Sequence, residues 1–370
     1  MSSNKIIVKT KSKLYPIYIG DKIINKTGNL IKKKLPNVRK ICILIDRNVP
    51  SQQLNKLINS LKKYNLKTYR LTVNEKTKSF KFANKLIENL LKNNFNRSDC
   101  IIAFGGGIIG DLSGFVSSLT KRGIKFINIP TTLLAQVDAS IGGKTGINSK
   151  QGKNLVGTFY QPDFVLSDIS MIKSLPRREM ICGYGEILKH ALIKDKRFFL
   201  WLSKNGKKII YEKNKKLLKI AVVKSCKIKS EIITKDEREK NLRMILNFGH
   251  TFAHGFEGAK KFSKKLNHGE AVLLGMMMAC KLSYKKKLLP LKDLLLIKKN
   301  YLDLKLPTNL KEKFKKKEIN NIISFMKRDK KNISEKINLI LIDRIGKTPR
   351  LNNFTSSSMG MKKFLLSQYI

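Results

Sequence analysis

"IIAFGGGIIGDLSGF", residues 101–115, decides the fold of the N-terminal part of this chain. An apolar, strand-like run leads into Gly105, Gly107 and Gly110, which have G-x-G-x-x-G spacing, and a helical pattern follows. In this context backbone N–H groups at a helix start can face a pyrophosphate. A tight turn with a purely structural role is the alternative. The acidic residue usual about twenty positions downstream is missing, so a ribose-binding carboxylate would come from elsewhere, for instance Asp46.

Strand and helix patterns alternate around this turn. Residues 6–19 predict a pair of strands, 39–46 and 67–73 predict two single strands, and 80–93 predict a helix. Strands that alternate with helices are typical of a parallel α/β sheet. The N-terminal part is therefore predicted to be α/β with a Rossmann-like parallel sheet.

The pattern changes after the "SLPRREM" segment, where Pro176 interrupts the chain. Most of the remaining sequence has the apolar period of long helices. A short strand is expected at 337–343 and a surface loop at 351–359. We therefore predict two domains, an α/β domain over 1–173 and a mainly α-helical domain over 174–370.

The charge of the chain is strongly positive, with 77 Lys and Arg against 26 Asp and Glu and a formal net charge of +51. Such a charge attracts nucleic acid or an anionic membrane surface. The lysines are spread along the whole chain, however, and abundant Ile and Asn beside Lys fit A+T-rich coding. We favour coding bias over a dedicated polyanion partner, and a basic nucleic-acid-binding protein stays the alternative of a different class.

The five cysteines lie far apart, with no Cys-x-x-Cys pair, and predict reduced thiols. The N-terminus has no apolar stretch that resembles a signal peptide, and no run reaches the ~20 apolar residues of a membrane span. The sequence therefore predicts a soluble, cytoplasmic protein without a membrane partner.

A second glycine-rich segment, "QVDASIGGKTGINSKQGKNLVGTF", carries several polar side chains. Its glycines permit close backbone approach, while Lys144 and Lys153, with Asp138 and Asn154 nearby, offer charges and an amide for a phosphate or carboxylate. A flexible basic surface loop is the alternative.

Three of the four histidines, His250, His254 and His268, lie within nineteen residues. The first two are four residues apart and share a helix face, and the third begins the next predicted helix. Imidazoles that converge from two elements suit zinc or a similar divalent ion, with Glu186 as a candidate further ligand. Scattered surface histidines are the alternative.

These stretches together resemble the 3-dehydroquinate synthase family of the shikimate pathway, which belongs among the sugar phosphate cyclases. The resemblance covers nearly the whole chain, and its motifs occur in the family's order. They are "GGGIIGDLSGF", "KRGIKFINIPTTLLAQVDASIGGKTGIN", "GKNLVGTFYQP", "LPRREM", "GEILKH", "ILNFGHTFAHGFE" and "LNHGEAV".

The resemblance implies an N-terminal NAD-binding domain, a C-terminal domain that binds a divalent metal (zinc or cobalt), and a homodimer with the active site between the domains. It implies conversion of 3-deoxy-D-arabino-heptulosonate 7-phosphate, a sugar phosphate, into 3-dehydroquinate and phosphate. The steps would be NAD-dependent transient oxidation, phosphate elimination, re-reduction and intramolecular aldol closure. The nearest competing functions are another sugar phosphate cyclase and a metal-dependent polyol dehydrogenase.

The resemblance also implies residue roles. The metal ligands are Glu186, His250 and His268, which leaves His254 as a substrate residue. The NAD contacts are Asp46, Asn48, Glu75, Lys78, Gly107, Ile108, Ile109, Gly110, Asp111, Thr131 and Thr132, with Lys144 and Lys153 nearby. The catalytic and substrate contacts are Asp138, Lys144, Asn154, Lys189, Lys229, Arg243, Asn247 and His254, with Arg122 directed to the neighbouring subunit and Lys331 near the phosphate. In this scheme Lys144, Asn154 and His254 hold the phosphate, and Lys229 and Arg243 hold the carboxylate.

Two positions depart from the family pattern. The usual Asp-Gly-Glu-x-x-Lys segment reads "NEKTK" after Val73, so Glu75 and Lys78 are kept while the leading Asp and Gly are not. Weaker binding of the adenosine side of NAD is expected from this change. His190 stands where the family often has an aromatic residue, and we interpret it as a packing substitution.

Overall fold

The computed structural model describes residues 3–263, 265–327, 336–349 and 354–369. The chain forms two compact units, the first made of Met1–Pro176 and Lys213–Arg238, the second of Arg177–Glu212 and Glu239–Ile370. These units do not follow the single boundary expected between 173 and 174, because the chain returns to the first unit for one long helix. The predicted NAD-binding and metal-binding domains stay a prediction about function.

The first unit contains a seven-stranded sheet and a separate antiparallel hairpin. In the sheet the order is β1-β2-β9-β6-β5-β3-β4, all neighbours are parallel except the edge pair β1-β2, and the hairpin is β7-β8. The strands are β1 (Asn4–Lys9), β2 (Leu14–Gly20), β3 (Lys40–Asp46), β4 (Asn65–Leu71), β5 (Cys100–Gly105), β6 (Lys125–Pro130), β7 (Lys144–Ser149), β8 (Gly152–Phe159) and β9 (Phe164–Asp168).

The strand predictions at 6–19, 39–46 and 67–73 are confirmed, each with a shift of a few residues at its ends. All six residues of β5 are buried, and so are the five central residues of β3. Strands covered on both faces read as continuous apolar runs, which is why these two were recognisable without alternation.

Twelve α-helices complete the described part of the two units. In the first unit they are α1 (Thr27–Lys34), α2 (Ser51–Ser60), α3 (Phe80–Lys92), α4 (Gly107–Leu119) and α7 (Lys215–Lys235), and in the second α5 (Arg177–Lys194), α6 (Lys196–Ile210), α8 (His250–Ala259), α9 (His268–Lys285), α10 (Leu291–Asp303), α11 (Ile319–Lys327) and α12 (Ser358–Leu366). Single turns of 3₁₀-helix lie at Ile24–Lys26, Glu75–Thr77, Thr120–Arg122, Leu310–Glu312, Lys316–Glu318 and Ser367–Tyr369, longer ones at Ile169–Ser174 and Leu242–Asn247, and a π-helix at Ala135–Ala139.

The helices of the first unit cover opposite faces of the sheet. Leu54 and Leu57 of α2 pack with Ile43 in one core cluster, whereas Leu112 of α4 packs with Leu44 in another. Because α2 follows β3 and α4 follows β5, the chain changes face between these adjacent strands. Such a switch point opens a crevice outside the carboxyl ends of the strands, which is where α/β sheets bind ligands.

The second unit is mainly helical, with one short strand pair. The pair joins β10 (Ile337–Leu339) and β11 (Phe354–Ser356) in antiparallel register. The strand expected over 337–343 is therefore shorter than predicted. The surface loop expected at 351–359 was wrong for 354–356, which form β11, and for 358–359, where α12 begins, while 351–353 lie outside the described residues. Within the described ranges, no helix combines the length and the apolar character needed to cross a membrane.

Candidate functional site

The glycine turn follows β5 directly, and α4 begins at Gly107 with Gly106 as its N-cap. A Cβ atom at Gly105 would lie 2.8 Å from Cγ1 of Ile109, and one at Gly110 would lie 3.1 Å from Nδ2 of Asn128. These positions need glycine for close packing. No side chain caps the N-terminus of α4, and its first turn holds no acidic residue. The free N–H groups and the helix dipole there suit an anion such as a pyrophosphate.

Asp46 and the two threonines lie beside this turn. Asp46 ends β3, and its Oδ1 accepts a hydrogen bond of 2.9 Å from the backbone N–H of Asn48. The Cβ position of Gly105 is 3.2 Å from Cβ of Asp46, and that of Gly106 is 3.3 Å from Cγ2 of Thr132. The backbone N–H of Thr131 donates to the carbonyl of Gly105 at 2.9 Å. The fold therefore brings these predicted NAD contacts to one edge of the sheet.

The segment that departs from the family pattern has a cap of its own. Oδ1 of Asn74 accepts from the backbone N–H groups of Lys76 at 2.8 Å and Thr77 at 3.2 Å, and the backbone N–H of Asn74 donates to Oγ1 of Thr77 at 3.2 Å. This reciprocal capping box fixes the 3₁₀ turn that carries Glu75.

Two ion pairs tie this segment to α4 and to the hairpin. The buried Lys78 places Nζ 2.6 Å from Oδ2 of Asp111 and also contacts Oδ1 of Asn154. Nζ of Lys153 lies 3.3 Å from Oε1 of Glu75. The structure therefore joins Asn154, a predicted substrate residue, to Lys78 and through it to Asp111, while Glu75 and Lys153 form a second pair of predicted NAD residues.

The pKa values of two carboxyl groups in this region shift in opposite directions. Burial raises the pKa of Asp111 above its usual range even though Lys78 opposes this shift. Burial also acts to raise the pKa of Glu75, but Lys153 and the amide of Asn148, which donates at 2.8 Å, hold it below its ordinary value. Glu75 is therefore the better stabilised carboxylate of the two.

Asp138 and Lys229, both predicted substrate residues, form an ion pair within the first unit. Asp138 lies in the π-helix, and Nζ of Lys229 on α7 is 2.6 Å from its Oδ1 and 2.6 Å from its carbonyl oxygen. Lys229 is only 6% exposed. Its ammonium is thus held in place by a carboxylate, as a buried charge requires.

Two further predicted residues of the first unit are exposed. Lys144 begins β7 and is exposed, and the exposed Arg122 has a left-handed backbone with φ of 60°. Lys331 lies outside the described residues.

In the second unit, Glu186, His250 and His268 form a group able to bind a metal. Each offers one ligand atom, and these atoms all lie within 4.8 Å of one another. Glu186 is 1% exposed on α5, and in the described part neither of its oxygens has a partner with hydrogen-bond geometry, although Lys189 forms an ion pair with it. A buried carboxylate beside two imidazoles fits a divalent ion such as zinc.

The backbone around the start of α8 orients the imidazole of His250. α8 begins at His250 after Gly249, whose φ of 80° and proximity to Met276 exclude a side chain. Nδ1 of His250 is 3.3 Å from the carbonyl of Phe248, and its Nε2 is 3.7 Å from Oε1 of Glu186. With Nδ1 bound to the protein, Nε2 stays available as a ligand.

His268 is oriented by a carboxylate that the sequence interpretation missed. Its Nδ1 lies 3.1 Å from Oε2 of Glu257 on α8. Burial acts to lower the pKa of His268, but Glu257 raises it to about 9. A divalent ion would therefore displace a proton when it binds. An acidic residue within an apolar helix, three positions after His254, was the signal available in the sequence.

The remaining predicted residues of this unit lie on α5 and near the start of α8. The ring of His254 has its centroid 5.9 Å from that of His250, but His254 is not part of the metal-competent group. Arg243 is 2% exposed, and Nδ2 of Asn247 donates to Oε1 of Glu239 at 2.8 Å. His190 is fully buried on α5.

Comparisons with known proteins cover most of this chain. The family model described as the N-terminal part of 3-dehydroquinate synthase matches residues 68–182, and the C-terminal one matches 183–332. A 3-dehydroquinate synthase of Pelagibacter ubique is 49% identical over 342 residues, 92% of this chain and 93% of that protein.

Solved structures share the fold at lower sequence identity. A 2-deoxy-scyllo-inosose synthase complexed with carbaglucose-6-phosphate, NAD⁺ and Co²⁺ superposes with a TM-score of 0.88 at 23% identity, over 97% of this chain and 98% of that one. A 2-epi-5-epi-valiolone synthase of Streptomyces hygroscopicus with NAD⁺ and Zn²⁺ bound gives 0.83 at 24% identity, over 96% of both chains. The sequence matches decide the family: this chain belongs to the 3-dehydroquinate synthases and has the enzymatic function of that family.

Proposed function

We propose that this chain converts 3-deoxy-D-arabino-heptulosonate 7-phosphate into 3-dehydroquinate and phosphate as a phosphate-eliminating lyase, with NAD and a divalent zinc or cobalt ion as cofactors. The observation that carries the proposal is the group of Glu186, His250 and His268 in a chain of this family. The roles below are those that the family resemblance implies, supported by the contacts within each unit.

The metal would be held by Glu186, His250 and His268. When bound, it would supply a Lewis acid for the hydroxyl groups of the substrate. Glu257 would keep the Nε2 atom of His268 directed at the ion, because it holds Nδ1 at 3.1 Å. Two solved structures with this fold contain a divalent ion, Co²⁺ in one and Zn²⁺ in the other. They support the choice of ion.

NAD would be held along the switch point of the first unit, and when bound it would supply reversible hydride chemistry. The uncapped start of α4 would bind the pyrophosphate through backbone N–H groups. Asp46 ends the neighbouring strand and would reach a ribose. Glu75 and Lys78 would bind farther along the cofactor, fixed by the cap at Asn74.

Substrate binding would depend on preset cations. Lys144, Asn154 and His254 would hold the phosphate until it leaves, and Lys229 would contribute to carboxylate binding. Because Asp138 fixes the ammonium of Lys229 at 2.6 Å, little side-chain entropy would be lost when the substrate arrives. A guanidinium such as that of Arg243 matches a carboxylate in a bidentate manner.

We also propose a cytoplasmic homodimer. Five buried cysteines without disulfides support a reducing compartment. The exposed Arg122 is the residue that the family resemblance directs to the neighbouring subunit, and its exposure suits that role.

The experiment is an assay of purified protein with the heptulosonate phosphate, catalytic NAD and zinc or cobalt. We expect stoichiometric phosphate and dehydroquinate without net NADH. Net NADH without phosphate would instead identify a polyol dehydrogenase and would overturn the proposal.

A pair of variants connects the activity to the proposed ligands. His268→Ala should lose both activity and bound metal, while Glu312→Gln, an exposed carboxylate of the same unit, should keep both. Full activity of His268→Ala without bound metal would contradict the ligand assignment.

A further inference from the structure

A cavity in the second unit is lined by none of the residues assigned above. Its volume is about 430 Å³, within the range of small-molecule sites. Lys281 of α9, Lys298 of α10 and Lys311 of the Leu310–Glu312 turn line it, together with Gln368 near the C-terminus. Lys281 lies more than three helical turns after His268 on α9, a distance of about 20 Å along the helix.

The charged side chains that line this cavity are all positive. Three lysines from three elements face it, and no carboxylate is among its described lining residues. Lys260 and Lys13, by contrast, have carboxylates at 2.8 and 2.9 Å. The chain carries many lysines, but these three converge on one concavity that no carboxylate of the described residues lines.

The neighbouring positive charges affect the pKa of Lys281. Burial lowers its pKa, and the charges of Lys298 and Lys311 lower it further. Its Nζ donates to Oε1 of Gln368 at 2.9 Å, which uses one of its three N–H groups. A bound anion would relieve the repulsion among the three ammonium groups.

The other lining residues indicate which kind of anion the cavity can bind. Thr308, Asn309 and Ser367 supply hydroxyl and amide groups that can bind phosphate oxygens, whereas Met277 and Leu302 supply an apolar wall. A cavity of this size exceeds a single phosphate ion, and lysine binds phosphate well as a point charge. We propose that the cavity binds a phosphorylated small molecule that carries at least two negative charges.

The test measures the acetylation of each lysine separately. Phosphate bound in the active site therefore does not contribute to the signal from the lysines of the cavity. The full-length protein is briefly acetylated with acetic anhydride, with and without pyrophosphate or glucose 6-phosphate, and modified peptides are quantified by mass spectrometry. At an anion concentration ten times its Kd, acetylation of Lys281 should fall about tenfold. Lys292 and Lys299, exposed lysines of α10, should be unaffected.

Two double variants distinguish binding in the cavity from attraction of the anion by the general charge of the protein. Lys281→Met with Lys298→Met should weaken protection of Lys311 by about tenfold or more, the effect of roughly 1.4 kcal/mol. Lys292→Met with Lys299→Met removes the same charge and should change nothing. The proposal would be overturned if the anion protected Lys281 no more than Lys292 and Lys299. It would also be overturned if neither anion protected Lys281. The acetylation results do not depend on enzymatic turnover. Turnover is tested separately, by the activity assay of the proposed function.

Discussion

Glu257 holds the imidazole of His268 through a contact of 3.1 Å between Oε2 and Nδ1. The carboxylate lies on α8 and the imidazole begins α9, so the contact links the two helices that supply histidines to the proposed metal site. His250 is oriented by a backbone carbonyl instead. The two rings thus differ in the group that orients them, and the carboxylate beside His268 is the stronger acceptor.

Glu257→Gln should weaken metal binding without removing a ligand. Loss of such an orienting carboxylate typically lowers metal affinity by about 10- to 100-fold. The dissociation constants for zinc and cobalt can be measured by competition with a chromophoric chelator. Glu318→Gln, which removes a carboxylate paired with Lys260 outside the site, is the matched control. Equal affinities of Glu257→Gln and the parent protein would show that the contact has no role in binding.

His250→Ala and His254→Ala should separate the two histidines that share a face of α8. His250→Ala removes a proposed ligand and should leave the purified protein with little bound metal. His254→Ala should retain the metal and lose turnover, because we assign it to the phosphate. Metal content by plasma mass spectrometry and phosphate release are the two measurements. Loss of metal from both variants alike would favour a three-histidine site instead.

Local patterns in the sequence predicted much of the fold and of the candidate site. Buried parallel strands are continuous apolar runs, so β3 and β5 were recognisable directly. The spacing of His250 and His254 required only the helical period. These inferences depend on neighbours in sequence and not on distant packing.

Long-range contacts explain what was not predicted. The apolar pattern of α7 indicates a helix but not its neighbours, and α7 packs on β1 and β2 of the first unit. The three-residue strand β11 forms only because β10 supplies its partner. Glu257 had no recognisable spacing to His268, since the two are eleven positions apart and lie on different helices. Its role depends on how α8 and α9 pack.

Asn74→Ala should reveal whether the altered turn compensates for the missing Asp and Gly. The variant loses both acceptor contacts to the backbone of Lys76 and Thr77, a loss of about 1 kcal/mol for a typical cap. NAD affinity should fall by up to about fivefold if the turn positions Glu75 and Lys78 for the cofactor. Asn74→Asp keeps the acceptor and should bind NAD as the parent does. Calorimetric titration with NAD measures both, and an unchanged affinity in Asn74→Ala would leave the cap with a purely structural role.

Glu237→Gln should destabilise the first unit in a pH-dependent manner. The buried carboxylate accepts from the backbone N–H of Ser12 at 3.1 Å, from its hydroxyl, and from Nε2 of Gln161 at 2.8 Å. Burial acts to raise the pKa of Glu237, but these donors hold it below the ordinary value of 4.5. A lowered folded-state pKa means that the stabilisation is complete above the unfolded-state pKa and is lost as the pH falls through the folded-state pKa.

The free energy of unfolding of Glu237→Gln should therefore lie about 1.5–3 kcal/mol below that of the parent at pH 7, since a charged acceptor is replaced by a neutral amide. The difference should shrink below about pH 4.5 as the parent carboxylate takes up a proton. Urea denaturation at pH 7 and at lower pH measures both values, and Glu231→Gln, an exposed carboxylate on α7, controls for net charge. A difference that is constant with pH would mean that Glu237 contributes through packing and not through its charge.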